Sequence, residues 1–176
     1  MLAKINQIRR MKNVNRLGTE RITRPYNLLE HSFMVTILFR YFAEVENVFY
    51  DEYDIDLIMH HDLLETVTGD LPYNVKNLNI ETEKCWDIIE RDVAKGNPVL
   101  EKYTDQRIGE ILNARQHQLF KACDLLDLWI FLCEEFQLGN LDKNLAQISE
   151  RCVALIGDTF PSINQFMKEY DASLFS

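Results

Sequence analysis

The sequence predicts an all-α fold, on three observations. Apolar positions recur at helical spacing through most of the chain, and no two-residue turn lies between alternating apolar runs, as a hairpin requires. Six Gly and four Pro leave few places for turns.

The elements follow in order. Leu2 to Lys12 carries a helical pattern, and Asn13 to Asn27, with Gly18 and Pro25, reads as an irregular polar stretch. A long helix is expected from about Leu28 to Glu46, with Asn27 as its N-cap. Asp54 is expected to cap a helix reaching about Val67, with Gly69 placed to end it in a left-handed turn and Thr68 to Lys76 as a loop. Further helices are expected at Glu81 to Lys95, closed by Gly96, and at Asp105 to Asn113. The last three run from Gln116 to Leu138, closed by Gly139, from Leu141 to Ile156, closed by Gly157, and from Ser162 to Tyr170 after Pro161. No internal repeat is present.

A length of 176 residues, 47% of them hydrophobic, has the size and apolar content of one soluble domain spanning 1–176. The net charge of −9, from 19 basic against 28 acidic residues, repels a phosphodiester backbone and argues against duplex nucleic acid as a partner. Any phosphate must be handled locally. Asn6, Gln7 and Asn13 interrupt the apolar N-terminal positions, so no signal peptide is expected. No apolar run approaches the roughly 18 to 20 residues that span a bilayer. Cys85, Cys123, Cys133 and Cys152 lack CxxC spacing and read as reduced thiols in a cytoplasm.

On a helix from Asp54 to Thr68, at about 100° per residue, the apolar side chains Ile55, Leu57, Ile58, Met59, Leu63, Leu64 and Val67 point nearly all round. Such a helix is buried. It nevertheless carries His61, Asp62 and Glu65 within one arc, since they are three or four residues apart or adjacent. Buried carboxylates need partners, and beside an imidazole a divalent cation suits both. Asp124 is in the same position among Phe120, Leu125, Leu126, Leu128, Trp129, Ile130 and Phe131, and His31 is set among Leu28, Phe33, Met34 and Val35. A lone histidine on an apolar face is ordinarily a core residue with one hydrogen bond. Two imidazoles and two carboxylates from three helices instead make a mixed nitrogen and oxygen site for Mn, Co, Fe, Zn or, less comfortably, Mg.

The elements Glu30-His31-Ser32, His61-Asp62-Leu63-Leu64-Glu65, Thr68-Gly69-Asp70-Leu71-Pro72 with Lys76, and Lys121-Ala122-Cys123-Asp124 resemble, in order, those of the HD-domain phosphohydrolases. The chain is most similar to the small 5′-deoxyribonucleotidase branch, which includes phage dATP triphosphohydrolases. The resemblance extends from about Asn15 to Asn140. It implies an all-α bundle around a central metal, with His31, His61, Asp62 and Asp124 as ligands. It gives Glu65 the role of catalytic carboxylate, Asp70 that of the loop aspartate over the substrate, and Arg16 that of the arginine reaching the nucleotide. The family pattern has a Trp after that arginine, close to the sugar, where this chain has Leu17.

Two ligand aspartates cancel the charge of a divalent ion, so cations must face the phosphate, and Arg16, Lys76 and Lys121 are the candidates. A metal site of this kind activates water for in-line attack on phosphorus, with Glu65 handling its proton. His60 reads as structural, and His117 and Asp127 take no assigned role. The leading expectation is a hydrolase of deoxyribonucleoside 5′-monophosphates. Its rivals are a triphosphohydrolase releasing tripolyphosphate, a nucleotide sensor without catalysis, and an all-α interaction module without a metal. The setting expected is a cytoplasm, which for a phage-encoded chain is the host's. A homo-oligomer is expected from the resemblance, with exposed apolar groups of the N- and C-terminal helices as candidate surfaces.

Overall fold

The computed structural model describes residues 2–71 and 79–174. In chain order the helices are α1 (Leu2–Arg10), continued by a 3-10 turn (Met11–Asn13); α2 (Leu28–Val45); α3 (Glu52–Met59); α4 (Glu65–Thr68); α5 (Ile80–Ala94); α6 (Pro98–Glu101); α7 (Asp105–Ile111); α8 (Ala114–Gln137); α9 (Lys143–Ile156); and α10 (Pro161–Leu174). No strand occurs among the described residues, which leaves an all-α architecture. Also among them, no helix is long and apolar enough to cross a membrane.

Helix α8 is the axis. It starts at a capping box in which Asn113 accepts from the backbone of Gln116 at 3.0 Å while Gln116 Oε1 accepts from the Asn113 N–H at 2.7 Å. It buries Leu119, Phe120, Cys123, Leu126, Trp129 and Leu132, so little of its surface meets water. α2 packs on one side of it and α9 on another, and α10 closes over both α2 and α8. Phe39, Phe42, Phe120, Leu57, Ile58 and Leu63 are fully buried between these elements, each contributing about 1.5–3 kcal/mol through apolar area removed from water.

The expected helix from Asp54 to Val67 is not one helix. Its cap is Asp51, which accepts from the backbone of Tyr53 and Asp54 at 2.7 and 3.0 Å, and Asp54 is the answering residue of a capping box. Asp54 carries a second signal, a bond from Gln116 Nε2 at 2.7 Å that explains its burial. α3 then stops at Met59, because the two histidines bond back onto the helix. His60 Nδ1 meets the Asp56 carbonyl at 2.7 Å and His61 Nδ1 meets the Ile58 carbonyl at 2.8 Å. The backbone tightens to three-residue bonds, His60 to Leu57 and His61 to Ile58, before α4 begins at Glu65.

Gly69 ends α4 with φ 77° and ψ 163°, a region essentially restricted to glycine. The other boundaries shift by short steps. α1 winds into 3-10 geometry before Lys12, α8 begins at Ala114, α9 begins at Lys143 after an Asp142 cap, and α10 begins at Pro161 itself. The short α6, whose Asn97 cap precedes Pro98, was not expected. Among the described residues the C-terminal helix offers none of the exposed large apolar side chains expected of it, with Ile163 and Met167 buried; exposed apolar residues run along α2 as Leu29, Phe33, Ile37, Tyr41 and Val45, and others lie on α5 and α9. In α1, Leu2 and Ile5 are exposed as expected.

Candidate metal centre

Three segments meet beside the middle of α8. α2 brings His31, the turn after α3 brings His61 and Asp62, and α8 brings Asp124. His31 Nε2 lies 3.1 Å from Asp124 Oδ1 and 3.6 Å from Asp62 Oδ2. His61 Nε2 lies 3.2 Å from Asp62 Oδ1 and 4.0 Å from Asp124 Oδ1. One donor atom from each of His31, His61 and Asp62 falls within 4.8 Å of the others. His31 is 0% exposed and His61 5%.

Tautomers follow from the partners. A carbonyl only accepts, so the Ile58 carbonyl places the His61 proton on Nδ1. Burial, the largest influence, pushes the His61 pKa down, which favours the neutral ring with its lone pair on Nε2. His31 Nδ1 faces Asp127 Oδ2 at 2.7 Å, which likewise leaves its Nε2 toward the centre. Neither Nε2 makes a hydrogen bond among the described residues, although both are buried. Bare imidazole nitrogens facing carboxylate oxygens at these distances repel unless a proton or a metal cation lies between them. The donor set of two nitrogens and two carboxylates therefore fits a divalent ion of the borderline kind.

The surrounding charge agrees. Burial works to raise the Asp124 carboxyl, but the close approach of His31 and attraction from His31, His61 and Arg16 hold it well below the usual range. For His31, burial and the Arg16 charge act downward, and its contacts with Asp124 and Asp127 prevail to raise its affinity for a proton. A metal ion meets the same attractive field at the same nitrogen.

Arg16 enters from the loop before α2. Its Nη1 donates to Asp62 Oδ2 at 2.6 Å, and Nη2 lies 3.8 Å from Asp124 Oδ1. The loop is pinned at both ends: Arg16 N–H donates to the Tyr26 carbonyl at 2.7 Å and Leu28 N–H to that of Val14 at 3.0 Å. Its far side is clamped by Glu135, 0% exposed, which accepts from Thr23 N–H at 2.7 Å, from the Thr23 hydroxyl, and from Asn140 Nδ2 at 2.8 Å. Leu17, at φ 55°, donates its N–H to Asp70 Oδ2 at 3.1 Å, so the loop after Gly69 is tied to the arginine loop. Burial, ahead of repulsion from Asp62, raises the Asp70 carboxyl.

Glu65 opens α4, its N–H on the Asp62 carbonyl at 3.0 Å, and its charge acts on Arg16 along with those of Asp62 and Asp124. The structure thus gathers His31, His61, Asp62, Asp124, Arg16, Glu65 and Asp70. Lys121 stands at the rim, paired with Asp105 at 3.8 Å over the Phe120 ring. Lys76 lies outside the described residues. His117 is edge-on to Phe120 and apart from the ligand cluster, and His60 packs on Tyr103 at 4.9 Å between centroids. Sequence reasoning left Asp127 without a role and passed over Tyr26. The spacing of three residues from Asp124 to Asp127 on one helix was the available signal for the first.

An all-helical frame thus delivers two imidazoles and two carboxylates to one buried centre. The fold is that of a cyanophage S-2L HD phosphohydrolase, DatZ, solved bound to dA and one catalytic Zn²⁺ ion, at a TM-score of 0.72 and 17% identity over 96% of this chain and 95% of that one. An HD-domain phosphohydrolase from Listeria innocua aligns at 0.78 and 16% identity, over 98% and 88%. The model of the YfbR-like 5′-deoxynucleotidases matches residues 5–174, and the chain belongs to that family. The 5′-deoxynucleotidase yfbR of Photorhabdus temperata is 30% identical over 149 residues, covering 78% of this chain and 76% of that protein. YfbR of Salmonella typhi is 27% identical over 160 residues, covering 78% and 75%.

Proposed function

We propose that the chain is a 5′-deoxynucleotidase that releases orthophosphate from deoxyribonucleoside 5′-monophosphates, with a divalent ion held by His31, His61, Asp62 and Asp124. The observation that carries this is the pair of bare, buried Nε2 atoms facing the Asp62 and Asp124 carboxylates. When bound, such an ion lowers the pKa of water and polarises a phosphoryl oxygen. The Arg16 guanidinium, buried beside these carboxylates, receives the phosphate with a planar pair of N–H donors. Glu65, next to this pair on α4, orients the attacking water and takes its proton. Asp70 ties its loop to Leu17 and so covers the substrate. Leu17 presents an aliphatic wall to the sugar, in place of the aromatic one of the family pattern. Lys121, at the rim, is a further cation for the phosphate, and Lys76, outside the described residues, keeps the same proposed role.

The relatives' names support the monophosphate as substrate. Zn, Co, Mn and Fe suit the donors best, and Mg less so. Reduced thiols support work in the cytoplasm, and a homo-oligomer is part of this proposal, with the exposed α2 residues as its surface.

The test is turnover of dAMP, AMP and dATP by chelated protein reloaded with Co²⁺ or Mn²⁺. Orthophosphate from dAMP is expected, and faster than from AMP. Tripolyphosphate from dATP without orthophosphate from dAMP would assign the triphosphohydrolase instead. Bound metal with no turnover of any of them would leave a sensor.

A further inference from the structure

We infer that Asp127 and Tyr26 are positioning residues that hold His31 in the tautomer able to bind a metal. The inference rests on the metal-site reading above and concerns side chains that never touch the ion.

Behind His31, three polar groups share a small buried space. Asp127 Oδ2 lies 2.7 Å from His31 Nδ1 and 2.6 Å from the Tyr26 hydroxyl, and that hydroxyl lies 2.9 Å from the same Nδ1. Tyr26 is 3% exposed and Asp127 5%. The Tyr26 ring is fixed by stacking on Phe131, at 4.2 Å and 12° between planes. α8 carries both Asp124 and Asp127, so one helix supplies the carboxylate in front of the imidazole and the one behind it.

Counting protons gives one assignment. Tyr26 has one hydroxyl proton, and the shorter contact directs it to Asp127. A carboxylate and a ring nitrogen at 2.7 Å need a proton between them, and it belongs to Nδ1. In the neutral ring Nε2 is then a lone pair aimed at the centre. Placing the ring proton on Nε2 instead sets the Nδ1 lone pair against the Asp127 carboxylate and blocks ligation. His61 obtains the same tautomer from the Ile58 carbonyl, a backbone group that no side-chain substitution removes. His31 depends on a side chain.

The role of Tyr26 depends on Asp127. Without the carboxylate, its hydroxyl turns to donate to Nδ1 and selects the wrong tautomer. Asp127→Leu is therefore expected to weaken Zn²⁺ binding about 10- to 100-fold. Adding Tyr26→Phe to it is expected to restore part of that loss, because nothing then donates to Nδ1. A merely structural role predicts the reverse, with the double variant worse than the single.

The experiment is competition of each protein with a chromophoric zinc chelator, beside long-range ¹H–¹⁵N spectra of the imidazoles in metal-free protein. The wild type should show His31 protonated at Nδ1, and Asp127→Leu should show it at Nε2. If Asp127→Leu does not fold, Asp127→Asn serves in its place, with Zn²⁺ binding about tenfold weaker, since its amide oxygen accepts without charge. Equal affinity and an unchanged tautomer in the folded variant overturn the inference. A wild type that shows the Nδ1 tautomer yet binds no Zn²⁺ overturns the metal-site reading alone.

Discussion

Arg16 and Asp62, separated by 46 positions, form a half-buried ion pair of 2.6 Å in which the guanidinium of one loop holds the carboxylate of another. Each side chain is less than one-fifth exposed, at 16% and 13%. Removing one partner of such a pair strands the other charge. Arg16→Ala is expected to lower the stability of metal-free protein by about 1–2 kcal/mol, and by less once Zn²⁺ neutralises Asp62. Urea unfolding with and without the metal measures both. An equal loss in the two conditions would show that Arg16 does not share its carboxylate with the ion.

Glu65→Gln keeps the shape of the carboxylate and removes its basicity. It is expected to reduce kcat on dAMP about 10²- to 10⁴-fold, the range typical of a lost general base. Metal content by elemental analysis should stay at the wild-type level. Activity within a few-fold of wild type would move the proton-transfer role to another residue.

Chelation followed by reloading tests the centre as a whole. At a free metal concentration about 100-fold above Kd, binding to the folded state stabilises by about 2.7 kcal/mol. For a chain of 176 residues this raises Tm by about 5 to 10 °C. His61→Ala and Asp124→Ala should abolish that shift. Its persistence in both variants would place the ion elsewhere.

Acid stability has a specific source away from the centre. Asp56 accepts from Tyr103 at 2.7 Å, from Lys4 at 3.2 Å and from Lys102. Burial works upward, but the bonds from Lys102, Tyr103 and Lys4 bring its carboxyl from 3.8 down to about 2. A depressed folded value means that the stabilisation is complete above pH 3.8 and fades as pH falls toward 2. With partial exposure discounted, it contributes about 1 kcal/mol. Asp56→Asn should therefore be less stable than wild type by this amount at pH 6, and the two should converge near pH 2 in urea unfolding.

Gly69→Ala tests the loop that carries Asp70. Among the described residues no atom lies within 4 Å of where a Cβ would sit, so the cost falls on the backbone, whose φ of 77° an alanine resists. A loss of about 1–3 kcal/mol is expected. A rise in KM for dAMP should accompany it, because the Asp70 bond to Leu17 shifts with the loop. A rise in Tm would show that the loop adopts another conformation without penalty.

The helices, and His31, His61, Asp62 and Asp124 as buried polar groups, were legible because periodicity and buried polarity are local properties of a sequence. Asn27 as a cap and Gly69 as a stop are examples, each needing only its neighbours. The break at His60 was not legible. It arises when two imidazoles compete for the carbonyls of Asp56 and Ile58, and a wheel drawn at constant angle assumes that side chains leave the backbone alone. His61, Asp62 and Glu65 meet nonetheless, through a turn in place of a shared helical face. Asp127 and Tyr26 escaped because their partner, His31, lies on another element, and 96 positions separate Asp127 from it.

The long helix α8 bears Asp124 and Asp127 near its middle and Glu135 toward its end. Glu135 grips the far side of the loop whose near side carries Arg16. About 16 Å of stiff rod joins the two stations. One rigid element therefore sets the spacing between Asp124 and the carboxylate that anchors Thr23, so the loop of Arg16 and the centre it faces share a single frame.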